Sequence, residues 1–337
     1  MLYVLALEKE RRKILKVGEA SYAVTIPKRW CRELGIEVGD VVELEKHEDS
    51  IILRSPREKE VKEPSGLRIA LDASRRNTKQ LVEEVIGAYI EGVSEIHVKG
   101  KREVIEESMK ILRRKLPGIV ILPGLKGYSY KLTFMEALVD TASIIEKLSN
   151  ILNQMFNITR GILLNISKEA LNELKDLEEE AEGIYYLGLR VSKRKVYQES
   201  PEKNQEVIDS IIVLGNLKEI ADSVARLAGI LATLPREEKN SLVEEADKMI
   251  SYLQELYEAA ISSYLHNDIN KALVVLGKEE VILEYIGDIL KDLGKHIPMI
   301  AEEILPVIRN SMNLARLTVS RCIRDKACRC RFFPLLE

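Results

Sequence analysis

The sequence predicts a multidomain, mainly α protein: a short β-rich head, a small α/β segment and a long helical body. Three observations carry that reading. Residues 135–325 repeat apolar positions at the helical period with few interruptions. Residues 67–134 alternate strand-like and helix-like runs in the order βαβαββ. Between Lys16 and Leu44, a β-prone run, a short helix, a Gly-Asp turn and a second β-prone run follow one another.

Composition narrows the class. A chain of 337 residues with 46% hydrophobic and 31% charged content can bury two or three cores. No apolar run approaches the roughly 18 residues a membrane span needs. The opening Met-Leu-Tyr-Val-Leu-Ala-Leu is followed at once by Glu-Lys-Glu-Arg-Arg, without a basic leader or a cleavage site, so a cytoplasmic protein is expected. His47, His97, His266 and His296 are scattered, and there is no P-loop, HExxH or nucleophile-base set. A non-enzymatic role is expected.

In the head, residues 1–55, the run Tyr22–Ile26 meets Pro27, which suits the first turn of a helix better than a continuing strand. Good helix formers fill Lys28–Leu34 and stop at Gly35. Ile36-Glu37-Val38-Gly39-Asp40 then turns the chain into Val41–Leu44. From Lys9 to Arg32 there are eight basic residues against two acidic ones, in a chain whose net charge is −3. A local basic stripe on an acidic protein is an electrostatic footprint for phosphate, which makes Arg11, Arg12, Lys13, Lys16, Lys28, Arg29 and Arg32 the candidate DNA-binding residues.

The series Gly18, "VTIPKRW", "LGIEVGDVVELE" and "SIILR" resembles the AbrB/SpoVT/MazE swapped-hairpin DNA-binding domain over about residues 10–55. That resemblance implies double-stranded DNA as the ligand and an interleaved homodimer as the folded form. A module of about 45 residues is also too small to bury a core alone.

Residues 56–66, "PREKEVKEPSG", read as a charged linker bracketed by prolines. In the α/β segment, residues 67–134, strands are expected at Leu67–Leu71, Glu95–Val98, Ile119–Leu122 and Tyr128–Phe134. Helices are expected at Thr78–Ile90 and Val104–Leu116. "PGLKG" reads as a hairpin rather than a phosphate loop.

Six helices are expected in residues 135–325, at about 135–165, 167–198, 202–233, 236–266, 268–296 and 298–325. "EALVDTASIIEKLSNIL" at Glu136 recurs weakly as "NSLVEEADKMISYLQEL" at Asn240. "KEALNELKDLEEEAEGI" at Lys168 recurs as "NKALVVLGKEEVILEYI" at Asn270. The body therefore reads as two three-helix units, 135–233 and 236–325. The basic tail 326–337 adds Cys328 and Cys330 to Cys322; three thiols so spaced allow a metal site needing a fourth ligand, a disulfide, or free thiols.

Acidic residues flank the core stripes of two neighbouring helices: Glu178, Glu179 and Glu182 on one, Glu219 and Asp222 on the next. Like charges one turn apart repel, so helix stability alone does not choose them. "LEEEAEGIYYLGLR" and "LKEIADSVARLA" resemble the two acidic motifs of the PhoU family of phosphate-signalling proteins. The resemblance covers residues 135–325 and implies iron or zinc held by Glu179, Glu182, Glu219 and Asp222, with Glu178 adjacent. Glu182 stands where the family has Asp, and Ile282, Leu314 and Leu317 occupy the second-half positions, so only the first half is expected to bind a cation. Two readings stay open: cation ligands, or solvated helix faces with Asp222 paired to Arg226. The two resemblances together imply a DNA-binding transcriptional regulator of phosphate uptake. The alternative is an adaptor that binds phosphate-transporter subunits and uses the head only to dimerise.

Overall fold

The computed structural model describes residues 10–46, 51–54, 67–124, 129–135, 139–164, 167–198, 201–234, 236–292 and 297–324. The chain divides into two units, residues 1–65 and 66–337.

The first unit holds two small antiparallel ribbons and one short helix. β1 (Ile14–Lys16) pairs with β2 (Tyr22–Val24), turning at Gly18, whose φ of 76° favours glycine. Pro27 opens α1 (Lys28–Leu34), and Gly35, left-handed at φ 66°, closes it through bonds from Gly35 and Ile36 to the carbonyls of Arg32 and Cys31. β3 (Glu43–Lys46) then pairs with β4 (Ile51–Arg54). No described residue of this unit is buried.

The second unit begins with β5 (Arg68–Asp72), a 3-10 turn (Ala73–Arg75), α2 (Thr78–Ile90), β6 (Glu95–Lys99), α3 (Arg102–Lys115), β7 (Ile119–Pro123) and β8 (Ser129–Phe134). The sheet order is β5-β6-β8-β7; β5 and β6 run parallel, and β8 is antiparallel to both its neighbours. Asn77 and Gln80 form a capping box that starts α2 where the sequence places it. Gly100 is required where it stands, because a Cβ there would come 2.7 Å from the Ala73 and Ser74 backbone. Leu81, Val85 and Tyr89 of α2 and Ile105, Met109 and Leu112 of α3 pack with Ile96, Val98 and Leu132 of the sheet.

Seven helices follow: α4 (Thr141–Leu164), α5 (Lys168–Gln198), α6 (Pro201–Thr233), α7 (Arg236–Leu265), α8 (Ile269–Leu276), α9 (Glu279–Asp292) and α10 (Ile297–Arg324). Two expectations need correction. The first helix begins at Thr141 rather than at 135, because Asp140 accepts a bond from the Ser143 amide at 2.8 Å and acts as its cap. The single helix expected at 268–296 is two, α8 and α9. Apolar periodicity runs through the join, but Gly277 and Lys278 form a turn there, and the Ile282 amide restarts the helical ladder on the Lys278 carbonyl.

α4, α5 and α6 pack mutually, as do α7, α8 with α9, and α10. Between the two groups like packs on like, α4 on α7 and α6 on α10, and one continuous apolar core runs through all of them. Arg160 holds the first seam by a two-pronged bond to Asp247, at 2.7 and 3.0 Å, and Tyr257 donates to Ser149 at 2.6 Å. The second seam carries Arg226 to Glu303 at 2.8 Å.

α5 also carries the sheet layer. α2 and α3 both lie on it, and Gly183 permits the approach: a Cβ there would sit 3.0 Å from the Lys115 carbonyl. Arg190 of α5 donates to the carbonyls of Tyr89 (2.6 Å) and Val93 (3.0 Å), and its guanidinium lies 4.8 Å over the Tyr89 ring. Arg190→Ala leaves those carbonyls at the end of α2 without their charged donor. Chemical denaturation of the variant is expected to show a loss of about 2 kcal/mol.

Candidate nucleic-acid interface and acidic cluster

All seven candidate DNA-binding cations are exposed. Arg11, Arg12 and Lys13 lie just before β1, Lys16 ends it, and Lys28, Arg29 and Arg32 lie on α1. Their pairs are local and wet: Arg12 with Glu10, and Arg29 with Glu33 one turn on at 3.5 Å. Such pairs add little to stability and leave the cations ready to exchange partners for phosphate. Lys9 lies outside the described residues.

Exposed apolar side chains accompany these cations. Ile14, Leu15, Tyr22, Val24, Val41 and Leu44 all face water in the single chain. The described residues of the head, none of them buried, lack the apolar gain needed to offset their chain entropy.

The five acidic candidates lie on facing stretches of α5 and α6, where the chain's own cations reach them. Glu182 Oε2 receives the Lys115 ammonium at 2.7 Å, and its Oε1 accepts from the Tyr186 hydroxyl at 2.7 Å. Burial raises the Glu182 pKa, but the bonds from Lys115 and Tyr186 outweigh it and hold the carboxyl below its ordinary value. Asp222 pairs with Lys218 of its own helix. Glu179 lies 3.7 Å from Arg114, and burial raises the Tyr185 pKa, with the Glu219 and Asp222 charges adding to it. Arg226 reaches across to Glu303 rather than pairing with Asp222.

Glu178 differs from the others. Burial and the neighbouring Asp222 and Glu182 charges push its pKa up, and Lys218 and Arg226 offset only part of that. The folded state therefore holds this proton more tightly than the unfolded chain, and ionising Glu178 above its raised pKa costs stability. Glu178→Gln is expected to raise the melting temperature at neutral pH. The gain should vanish below about pH 3.5, where the wild-type carboxyl is largely protonated in both states. Melting curves across that pH range check it.

These carboxylates are engaged by groups of the chain itself. Both oxygens of Glu182 are engaged, Asp222 faces an ammonium, and among the described residues no three His, Cys, Asp or Glu side chains converge as a ligand set. In the second half, Glu279 pairs with Arg316 at 2.7 Å, and Ile282 and Leu314 are buried. Lys115 and Lys218 were not legible as part of this cluster in equal measure. The i,i+4 spacing of Lys218 and Asp222 marks their pairing, whereas Lys115 arrives from another helix 67 residues away. Of the thiols, Cys322 is buried on α10 against the Asn267 carbonyl; Cys328 and Cys330 lie outside the described residues.

Residues 15–61 match the family model described as antidote-toxin recognition MazE, bacterial antitoxin. The head is a MazE/AbrB-like domain. The match takes in β1, β2, α1, β3 and β4 and leaves the remainder of the chain unassigned. No curated protein and no solved structure matches the chain. Among the described residues no helix is long and apolar enough to cross a membrane.

Proposed function

We propose that this protein is a non-catalytic, DNA-binding transcriptional regulator whose MazE-like head pairs with a second copy. The observation that supports this best is the head itself, with seven exposed cations on a module that buries no described residue. Pairing two heads supplies the absent core and sets two basic stripes in two-fold register, the symmetry of a palindromic site. The phosphate contacts of such a stripe give affinity, and base-edge contacts from the same surface give sequence preference.

The helical body is the sensor in this proposal. Its two acidic motifs resemble those of phosphate-signalling proteins, so phosphate status, relayed by a transporter subunit, is the signal that alters the affinity of the paired heads. Of the carboxylates that resemblance points to, Glu182, Asp222 and Glu179 face Lys115, Lys218 and Arg114. The test is retention of promoter fragments from phosphate-uptake genes by the purified full chain, with and without phosphate-transporter subunits. Retention that changes when the subunits are added is expected. A chain that retains no promoter DNA but captures transporter subunits is an adaptor instead.

A further inference from the structure

We propose that the outer edge of β5 pairs, antiparallel and about a two-fold axis at Ala70, with β5 of a second copy, so that two four-stranded sheets become one. β5 is an edge strand of the order β5-β6-β8-β7, and among the described residues no strand pairs with its other side. The Leu67 carbonyl accepts from the Ser94 amide at 3.1 Å, which turns the backbone of the alternate residues Ile69 and Leu71 toward β6. The amides and carbonyls of Arg68, Ala70 and Asp72 therefore point away from the sheet. They lie on a run with no proline, lysine or bulge to turn a partner strand away. Ile69 and Leu71 are only half-buried, whereas their β6 neighbours Ile96 and Val98 are wholly buried.

The side chains identify both the occupant and the register. With Ala70 on the axis, Arg68 stands opposite Asp72 of the other copy at both ends of the strand, and Ile69 stands opposite Leu71. The β5–β6 register sets Arg68 beside Glu95 and Asp72 beside Lys99, on the face away from α2 and α3. Across the joined edge that face reads Glu95, Arg68, Asp72, Lys99, with charges alternating through four strands. Glu95 is held from its other side by Lys131 at 2.5 Å, and His97 lies in the row between, 2.6 Å from Glu95 and beside Ala70. Arg75 and Arg76 come on and after the 3-10 turn, past the paired residues, and Arg76 is held by Glu84. The opposite face reads Ile96, Ile69, Leu71, Val98, which completes the burial of both half-covered residues. An axis at Ile69 or Leu71 would set Ala70 against Arg68 or Asp72 and break the charge row. The strand is complementary to its own copy, as an isologous contact requires. Head pairing, on which this inference rests, tethers two copies at high effective concentration, so a contact of five residues suffices.

The test places single cysteines on this edge of the full-length chain. Mild oxidation of Ala70→Cys is expected to link positions 70 of two copies, since opposed residues of this kind have Cα atoms about 5.5 Å apart. Chains with Arg68→Cys and with Asp72→Cys, co-expressed, should link position 68 of one to position 72 of the other. Either chain alone should not link like positions, which lie roughly 13 Å apart. Peptide masses separate these links from those of Cys31, Cys322, Cys328 and Cys330. Adding Ala70→Pro to both co-expressed chains removes the central amide donor and should abolish the 68–72 link, while circular dichroism and sedimentation stay unchanged. A dimer with no link at these positions, with links between like positions 68 or 72, with links to native cysteines only, or with a 68–72 link that survives Ala70→Pro overturns the edge pairing alone. A monomer in sedimentation overturns the head pairing and this inference with it.

Discussion

Replacing Arg11, Arg12 and Arg29 together by alanine will weaken DNA binding and flatten its salt dependence. Each phosphate contact contributes about 0.9 to the slope of log affinity against log salt, so three lost contacts lower it by about 3. The substitution should leave the fold intact, since Arg11, Arg12 and Arg29 are exposed and the pairs of Arg12 with Glu10 and Arg29 with Glu33 are solvent-accessible. Affinity titrations at several salt concentrations, read beside a melting curve, separate the two effects. An unchanged slope places the phosphate contacts on other residues.

The second large effect belongs to the apolar side of the head. Leu44 lies on β3, 64% exposed in the single chain, and directly opposite Leu53 in the β3–β4 register. Placed at the centre of a paired head, it contributes burial that a carboxylate there reverses. Leu44→Asp is expected to turn the dimer into monomers at micromolar concentration. Losing the paired site returns affinity to its non-specific level, a loss on the order of 10³. The helical body keeps its own core, so circular dichroism should show its helix content unchanged. A variant that still sediments as a dimer and still holds DNA would move the pairing surface away from β3.

Local signals were the most legible in the sequence. Gly35 at the end of α1 and Pro27 before it each act through their own backbone, and the helix begins and ends where they direct. The break between α8 and α9 is hidden from periodicity, which reports which face is apolar, because that face continues across the turn at Gly277. Asp140 escapes a periodicity reading for the opposite reason: the apolar residues near 135 suggest helix, while the capping carboxylate sits five residues further on.

The acidic cluster shows the limit more sharply. The positions of Glu178, Glu182 and Asp222 along their helices were readable, but their partners were not. Lys115 reaches Glu182 because α3 lies on α5 at Gly183, and Arg226 leaves Asp222 for Glu303, 77 residues on, because α6 packs against α10. Which cation meets which carboxylate is decided by tertiary packing. A chain read for helix spacing alone assigns the nearest partner.

Genomic footprinting of the protein in phosphate-rich and phosphate-starved cells tests the central claim most directly. The account predicts discrete protected sites with two-fold symmetry, lying upstream of phosphate-uptake genes and changing in occupancy between the two conditions. Protection spread evenly along the genome, or no protection in either condition, contradicts it.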